Sequence, residues 1–176
     1  MKIKVKEITP GCKFEYINKG EWIDLRNAED VCFTAPQAES RKKIVVDGKQ
    51  IYYRNVYFDT CVIPLGIAME LPKGFEAVIL PRSSTFNNYA VILSNSEGVI
   101  DSSYCGDNDE WKFQAIALES TNIPKGSRIC QFKIQLSQKA TFWQKLKWLF
   151  SNKIEFVWVD TLGNKNRGGF GTTGKL

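Results

Sequence analysis

At 176 residues, 43% hydrophobic and 24% charged, the chain has room for one well-buried domain of ordinary globular composition. It contains no histidine, which excludes Ser-His-Asp and Cys-His catalysis, and its five cysteines (Cys12, Cys32, Cys61, Cys105, Cys130) are never spaced Cys-x-x-Cys, which argues against a disulfide framework or structural zinc. The net charge of +5 favours an anionic ligand, but the lysines are dispersed and do not interleave with aromatics, so no nucleic-acid partner is expected, and no apolar run is long enough for a membrane helix. Any metal must be a hard cation held by carboxylates, water or substrate oxygens, with magnesium the natural candidate.

The N-terminal Lys2–Ile8 alternates as a strand and lacks the apolar core of a signal peptide, so a cytoplasmic protein is expected. Further strands are predicted at Ile51–Phe58, Cys61–Leu71, Ala77–Leu80, Ala90–Leu93, Trp111–Glu119, Arg128–Leu136 and Glu155–Asp160, rich in Val, Ile, Tyr and Phe. Leu71-Pro72-Lys73-Gly74 and Ile123-Pro124-Lys125-Gly126 are type I turn sequences. Many short strands at close spacing predict an all-β sandwich, jelly roll or barrel.

Taken in chain order, five segments carry polar groups suited to chemistry. Gly20 to Arg26 sets Asp24 between apolar neighbours, a weak signal alone. Pro81-Arg82-Ser83-Ser84 follows an apolar strand; it suits phosphate binding, and equally a strand-ending turn. Gly98-Val99-Ile100-Asp101-Ser102-Ser103-Tyr104-Cys105-Gly106 reads as a strand feeding a tight hairpin. A rigid carboxylate there suits metal-assisted attack of water on a phosphate, and the stretch is also compatible with an ordinary turn. Gly126 to Phe132 opens a strand in which Arg128 and Gln131 interrupt the apolar alternation, and alternation alone favours an outward-facing Gln131. Arg167 to Gly174 is glycine-rich, with Arg167, Phe170 and Thr172 able to wrap a phosphate and cover a base, although such termini are more often plain tails.

Thr141–Ser151 is the one helical pattern. Phe142, Leu146, Leu149 and Phe150 share a face, which predicts a short helix packed on the β core; the competing reading is a partner or membrane-surface contact through Trp143, Trp148 and the flanking lysines.

In order, these five segments resemble the five motifs of the trimeric dUTP diphosphatase (dUTPase) family: Trp22 to Arg26, Pro81 to Ser84, Gly98 to Gly106, Gly126 to Gln131 and Arg167 to Gly174. Val62 to Pro72 also resembles the family's strand ahead of the second motif, and Gly106-Asp107-Asn108-Asp109-Glu110-Trp111 resembles a branch common in Gram-positive bacteria and their phages. The resemblance implies a jelly-roll-like β barrel over residues 1–163, with extended segments at about 35–58 and 138–157. A mobile arm, 164–176, would close over a neighbour's site in a homotrimer whose three shared active sites are each built from all three subunits. It implies hydrolysis of dUTP to dUMP and diphosphate with magnesium. Asp101 would activate the water, with Asp24 near the metal through water. Arg82, Ser83, Ser84 and Gln131 would hold phosphates. Asn95 would contact the uracil with the hairpin backbone, Gly98 would belong to the substrate-binding set, and Tyr104 would pack on the deoxyribose. Arg167, Phe170 and Thr172 would close over the γ-phosphate and base. Arg167 precedes Phe170 by three residues, two fewer than the commoner spacing, which keeps Trp111 and Phe113 as alternative base-covering rings. The rivals are a dCTP deaminase using Glu97 or Glu110, and a regulator of the same fold that binds another protein.

Overall fold

The computed structural model describes residues 1–15, 20–151 and 153–169. Their strands run β1 (Lys2–Glu7), β2 (Ile23–Arg26), β3 (Val31–Phe33), β4 (Gln37–Ala38), β5 (Lys42–Val46), β6 (Lys49–Tyr53), β7 (Val56–Tyr57), β8 (Thr60–Pro64), β9 (Ile67–Glu70) and β10 (Phe75–Pro81). After helix α1 (Thr85–Tyr89) come β11 (Val91–Leu93), β12 (Gly98–Asp101), β13 (Lys112–Ala117), β14 (Thr121–Ile123) and β15 (Arg128–Leu136), then helix α2 (Phe142–Phe150) and β16 (Glu155–Trp158). Three sheets, β16-β1-β9, β12-β10-β15-β2 and β11-β13-β8, enclose a core that includes Ile3, Val5, Leu25, Ile63, Phe113 and Phe132. The mostly-β expectation holds.

The sheet β12-β10-β15-β2 positions the chemistry. Strand residues alternate faces, and the register places Ala77, Ile79, Phe132, Cys130 and Leu25 on the buried side. Asp101, Glu76, Gln135, Gln131 and Asp24 therefore share the outer face. Strict alternation would turn Arg128 inward. A bulge between Arg128 and Cys130 pairs Arg128 with Arg26 instead, which returns its side chain to the face of Asp24.

Four expectations change. The predicted strand 61–71 is two strands, broken at Leu65-Gly66; Gly66 has φ +69°, and a Cβ there would sit 2.5 Å from the Cys12 sulfur. Helix α1 is unforeseen, a single turn between β10 and β11. Residues 37–57 form two ribbons, β4-β7 and β5-β6, rather than one strand; the latter turns at Asp47-Gly48, both at positive φ, as a two-residue hairpin requires. Finally, α2 lies where predicted but faces the other way. A capping box between Thr141 and Gln144 starts it, Gln144 Nε2 donates to the Lys73 carbonyl at 2.6 Å, and Trp148 packs edge-on against Phe75 at 5.3 Å. Phe142, Leu149 and Phe150 are 69–80% exposed, so most of the stripe expected in the core points outward.

Candidate functional site

The expected residues gather in two places. In the first, β2, β15 and the end of β10 set Asp24, Arg82, Ser83, Arg128 and Gln131 around a cavity of about 270 Å³. Arg82 Nε donates to one Asp24 oxygen at 2.9 Å and Arg128 Nη1 to the other at 3.2 Å. Arg82 Nη1 also reaches Ser84 Oγ at 3.4 Å, and Gln131 Nε2 donates to the Pro81 carbonyl at 3.3 Å. The turn is held by Thr85, which is buried. Its hydroxyl donates to the Ile129 carbonyl at 2.7 Å and accepts the Arg82 amide at 3.1 Å. Two guanidiniums, hydroxyls and an amide around one opening are groups that can bind a polyanion.

The second place is the hairpin after β12. The Asp101 carboxylate accepts the Ser103 amide at 2.8 Å, the Ser103 hydroxyl, and Arg167 Nη1 at 2.6 Å. Partial burial pushes its carboxyl up, but the Ser103 hydrogen bonds and the Arg167 guanidinium outweigh that and hold it below the usual carboxylate range. Asp101 is therefore ionised at neutral pH. Tyr104 Oη donates to the Glu110 carbonyl at 2.8 Å, which fixes its ring, and burial raises its hydroxyl. Asp101, Ser102, Ser103 and Arg167 border a cavity of about 890 Å³ that also touches Gly74, Thr141 and Gln144.

These two places are not adjacent within one chain. Asp101 pairs with Glu76 and Glu76 with Gln135, four residues along β15 from Gln131 opposite Asp24. Four strand steps and three strand spacings put the carboxylates on the order of 20 Å apart.

Asn95 sits in the exposed turn before β12, next to Ser94, whose amide donates to the Gln114 carbonyl of β13; Gly98 starts β12, with room limited by Ile79. Trp111 and Phe113 are fully buried core residues, which removes both as base-covering rings. Of the deaminase candidates, Glu97 lies on an exposed turn and Glu110 accepts the Gly66 amide at 2.9 Å, a structural bond. Phe170 and Thr172 lie outside the described residues. The segment 161–169 lies on its own chain's hairpin: Asp107 accepts Thr161 Oγ1 and the Leu162 amide at 2.9 Å each, and Asp109 accepts the Arg167 and Gly168 amides. Sequence reading noted Arg128 without giving it a role and passed over Thr85 and Asp109. The polar break at Arg128 was visible, but its direction depends on the bulge.

Among the described residues no three acidic or cysteine side chains gather to cage a metal. The carboxylates at this cavity are Asp24 and Glu21, too few to cage an ion alone, which fits an ion that arrives on a polyphosphate and meets the protein through water.

The family model described as dUTPase matches residues 49–146. The chain is 41% identical over 175 residues, 99% of each chain, to the SPbeta prophage-derived deoxyuridine 5'-triphosphate nucleotidohydrolase YosS of Bacillus subtilis. Its fold matches the dUTPase of Streptococcus mutans with a TM-score of 0.58 at 18% identity, covering 76% of this chain and 94% of that one. A variant of the dUTPase from phage phi11 of S. aureus, described with a coordinated structural Mg(II) ion, matches at 0.57 and 14% identity, covering 80% and 94%.

Proposed function

The chain belongs to the dUTPase family, and from that premise we propose how its residues carry out the family's reaction. The enzyme is a dUTP nucleotidohydrolase: dUTP and water give dUMP and diphosphate. Asp101, ionised and held by Ser103, orients the water that attacks the α-phosphorus and accepts its proton. Tyr104, with its hydroxyl tied to Glu110, presents a fixed ring to the deoxyribose. Arg82, Ser83, Ser84, Arg128 and Gln131 hold the phosphates, and Arg167 moves from Asp101 to the γ-phosphate. Losing that guanidinium raises the basicity of Asp101 at the moment it must take a proton. Magnesium arriving on the triphosphate would be held near Asp24 through water and would supply neutralisation of the charge on the leaving diphosphate. Gly98 shapes the start of β12, and Asn95 contacts the uracil. Phe170 is the remaining base-covering ring, with Thr172 beside it.

The observation that carries this reading is the separation of the two clusters. The β- and γ-phosphates lie within two bridging oxygens of the attacked phosphorus. Arginines on the order of 20 Å away on the same chain cannot hold them. One copy's hairpin must therefore meet another copy's Arg82 cluster, which a homotrimer with three shared sites provides. The test is diphosphate release from dUTP, dCTP, dTTP and UTP, with and without magnesium. Magnesium-dependent release from dUTP alone supports the assignment; equal release from UTP removes Tyr104 as the sugar gate.

A further inference from the structure

We propose that α2 is a lipid-docking element: its outward apolar face and flanking lysines seat the enzyme on an anionic bilayer surface. Phe142, Trp143, Leu149 and Phe150 are 69%, 74%, 78% and 80% exposed, the most exposed large apolar side chains among the described residues. At 3.6 residues per turn, Leu149, Phe142, Leu146, Phe150 and Trp143 follow one another around an arc of about 120°. Lys145 stands at one edge of that arc and Lys147 at the other. The opposite side of the helix holds the body: Gln144 donates to the Lys73 carbonyl and Trp148 packs on Phe75. Thr141 and Gln144, on that same inner side, are the residues that α2 and its cap bring to the Asp101 cavity. The apolar arc therefore points away from the sheet and from the place where a second copy is needed.

Charge and size select the occupant of this face. The chain has no Asp or Glu between Glu119 and Glu155, and Lys139, Lys145, Lys147 and Lys153 lie on α2 or within three residues of its ends. None of these four lysines enters an ion pair among the described residues. Two such faces brought together would set like charges against each other. A helix of nine residues is also only about 14 Å long, too short to bury by itself the ~800 Å² per partner of a stable protein interface. An anionic lipid surface needs no such area. The rings enter the boundary between headgroups and acyl chains, and lysines beside them lay their stems on the apolar surface and reach the phosphates. The helix is also built before it binds, because the capping box and Gln144 hold its first turn and Trp148 its middle. Docking therefore carries no cost of ordering a peptide.

The experiment uses the full-length, assembled enzyme and vesicles of phosphatidylcholine, alone or mixed equally with phosphatidylglycerol, separated by flotation. The protein should float with the mixed vesicles, stay behind with phosphatidylcholine alone, and be released as salt is raised. Leu149→Ser with Phe150→Ser should raise the lipid concentration for half-binding at least about tenfold. Lys145→Glu with Lys147→Glu should do the same. Hydrolysis of dUTP without lipid should stay within about twofold for both pairs, since these side chains touch neither the Asp101 hairpin nor the Arg82 cluster. Tryptophan emission should shift to the blue on adding mixed vesicles and lose most of that shift in Trp143→Phe, which keeps the test sound even if the serine pair folds poorly. No flotation with mixed vesicles overturns the proposal and leaves the face to a protein partner. Flotation that survives the serine pair assigns lipid binding to another basic surface and overturns it too. If the serine pair lowers the mass of the assembly by light scattering, the occupant is a second copy of this chain and the lipid reading falls.

Discussion

Asp24 meets two guanidiniums at once, Arg82 at 26% side-chain exposure and Arg128 at 41%, and the pairs are worth more to ligand binding than to stability. Arg128→Ala should raise the KM for dUTP about tenfold and shift stability by less than about 1 kcal/mol, measured by steady-state kinetics and thermal melting. Asp101→Asn keeps the shape but cannot take a proton. Its kcat should fall about 10²- to 10⁴-fold with the assembly unchanged by size-exclusion chromatography. Asp107 carries a pH signature. The Leu162 amide, Lys6 and Thr161 hold its carboxyl down to about 2. A carboxyl lowered in the folded state contributes stability above its unfolded value, about 3.9, and loses it as pH falls through the folded value. The stability difference between wild type and Asp107→Asn should therefore be full above pH ~4 and vanish towards pH ~2, read from denaturant melts across that window.

At the scale of elements, what could be read from sequence was whatever depends on local pattern. Apolar runs located most of the core strands, and three-to-four spacing located α2. Direction and pairing were not local. The outward turn of Arg128 depends on a register shift against β2, and the orientation of α2 depends on Phe75 offering a partner to Trp148. Trp111 and Phe113 are buried because the inner face of β13 packs against the sheet that carries Phe132, a pairing of sheets that no motif spacing encodes. The α2 orientation has a direct consequence. Trp148→Ala, which empties the contact with Phe75, should cost about 1–3 kcal/mol, less than a fully buried tryptophan. Leu149→Ser on the exposed face should stay within about 0.5 kcal/mol, a contrast that urea melts of the two variants would resolve. Equal losses would mean that the helix packs by the stripe rather than by Gln144 and Trp148.

At the scale of the whole molecule, the sheet that carries the Asp101 hairpin and the Arg82 cluster keeps them on the order of 20 Å apart within one chain, which is why the proposed site needs a second copy. The five motif segments were legible, and the resemblance implied sites shared between copies, but which segments fall in which place comes from which strand lies beside which. If the hairpin of one copy meets the Arg82 cluster of the next, two different inactive chains can repair each other. Asp101→Asn supplies a sound Arg82 cluster, and Arg82→Ala supplies a sound hairpin. In a randomly co-assembled equal mixture, each shared site draws its two halves independently, so about a quarter of the sites are intact. Diphosphate release should recover to about a quarter of the wild-type rate, although either variant alone is nearly inactive. If both halves instead came from one chain, every site in the mixture would carry one lesion and no activity would return.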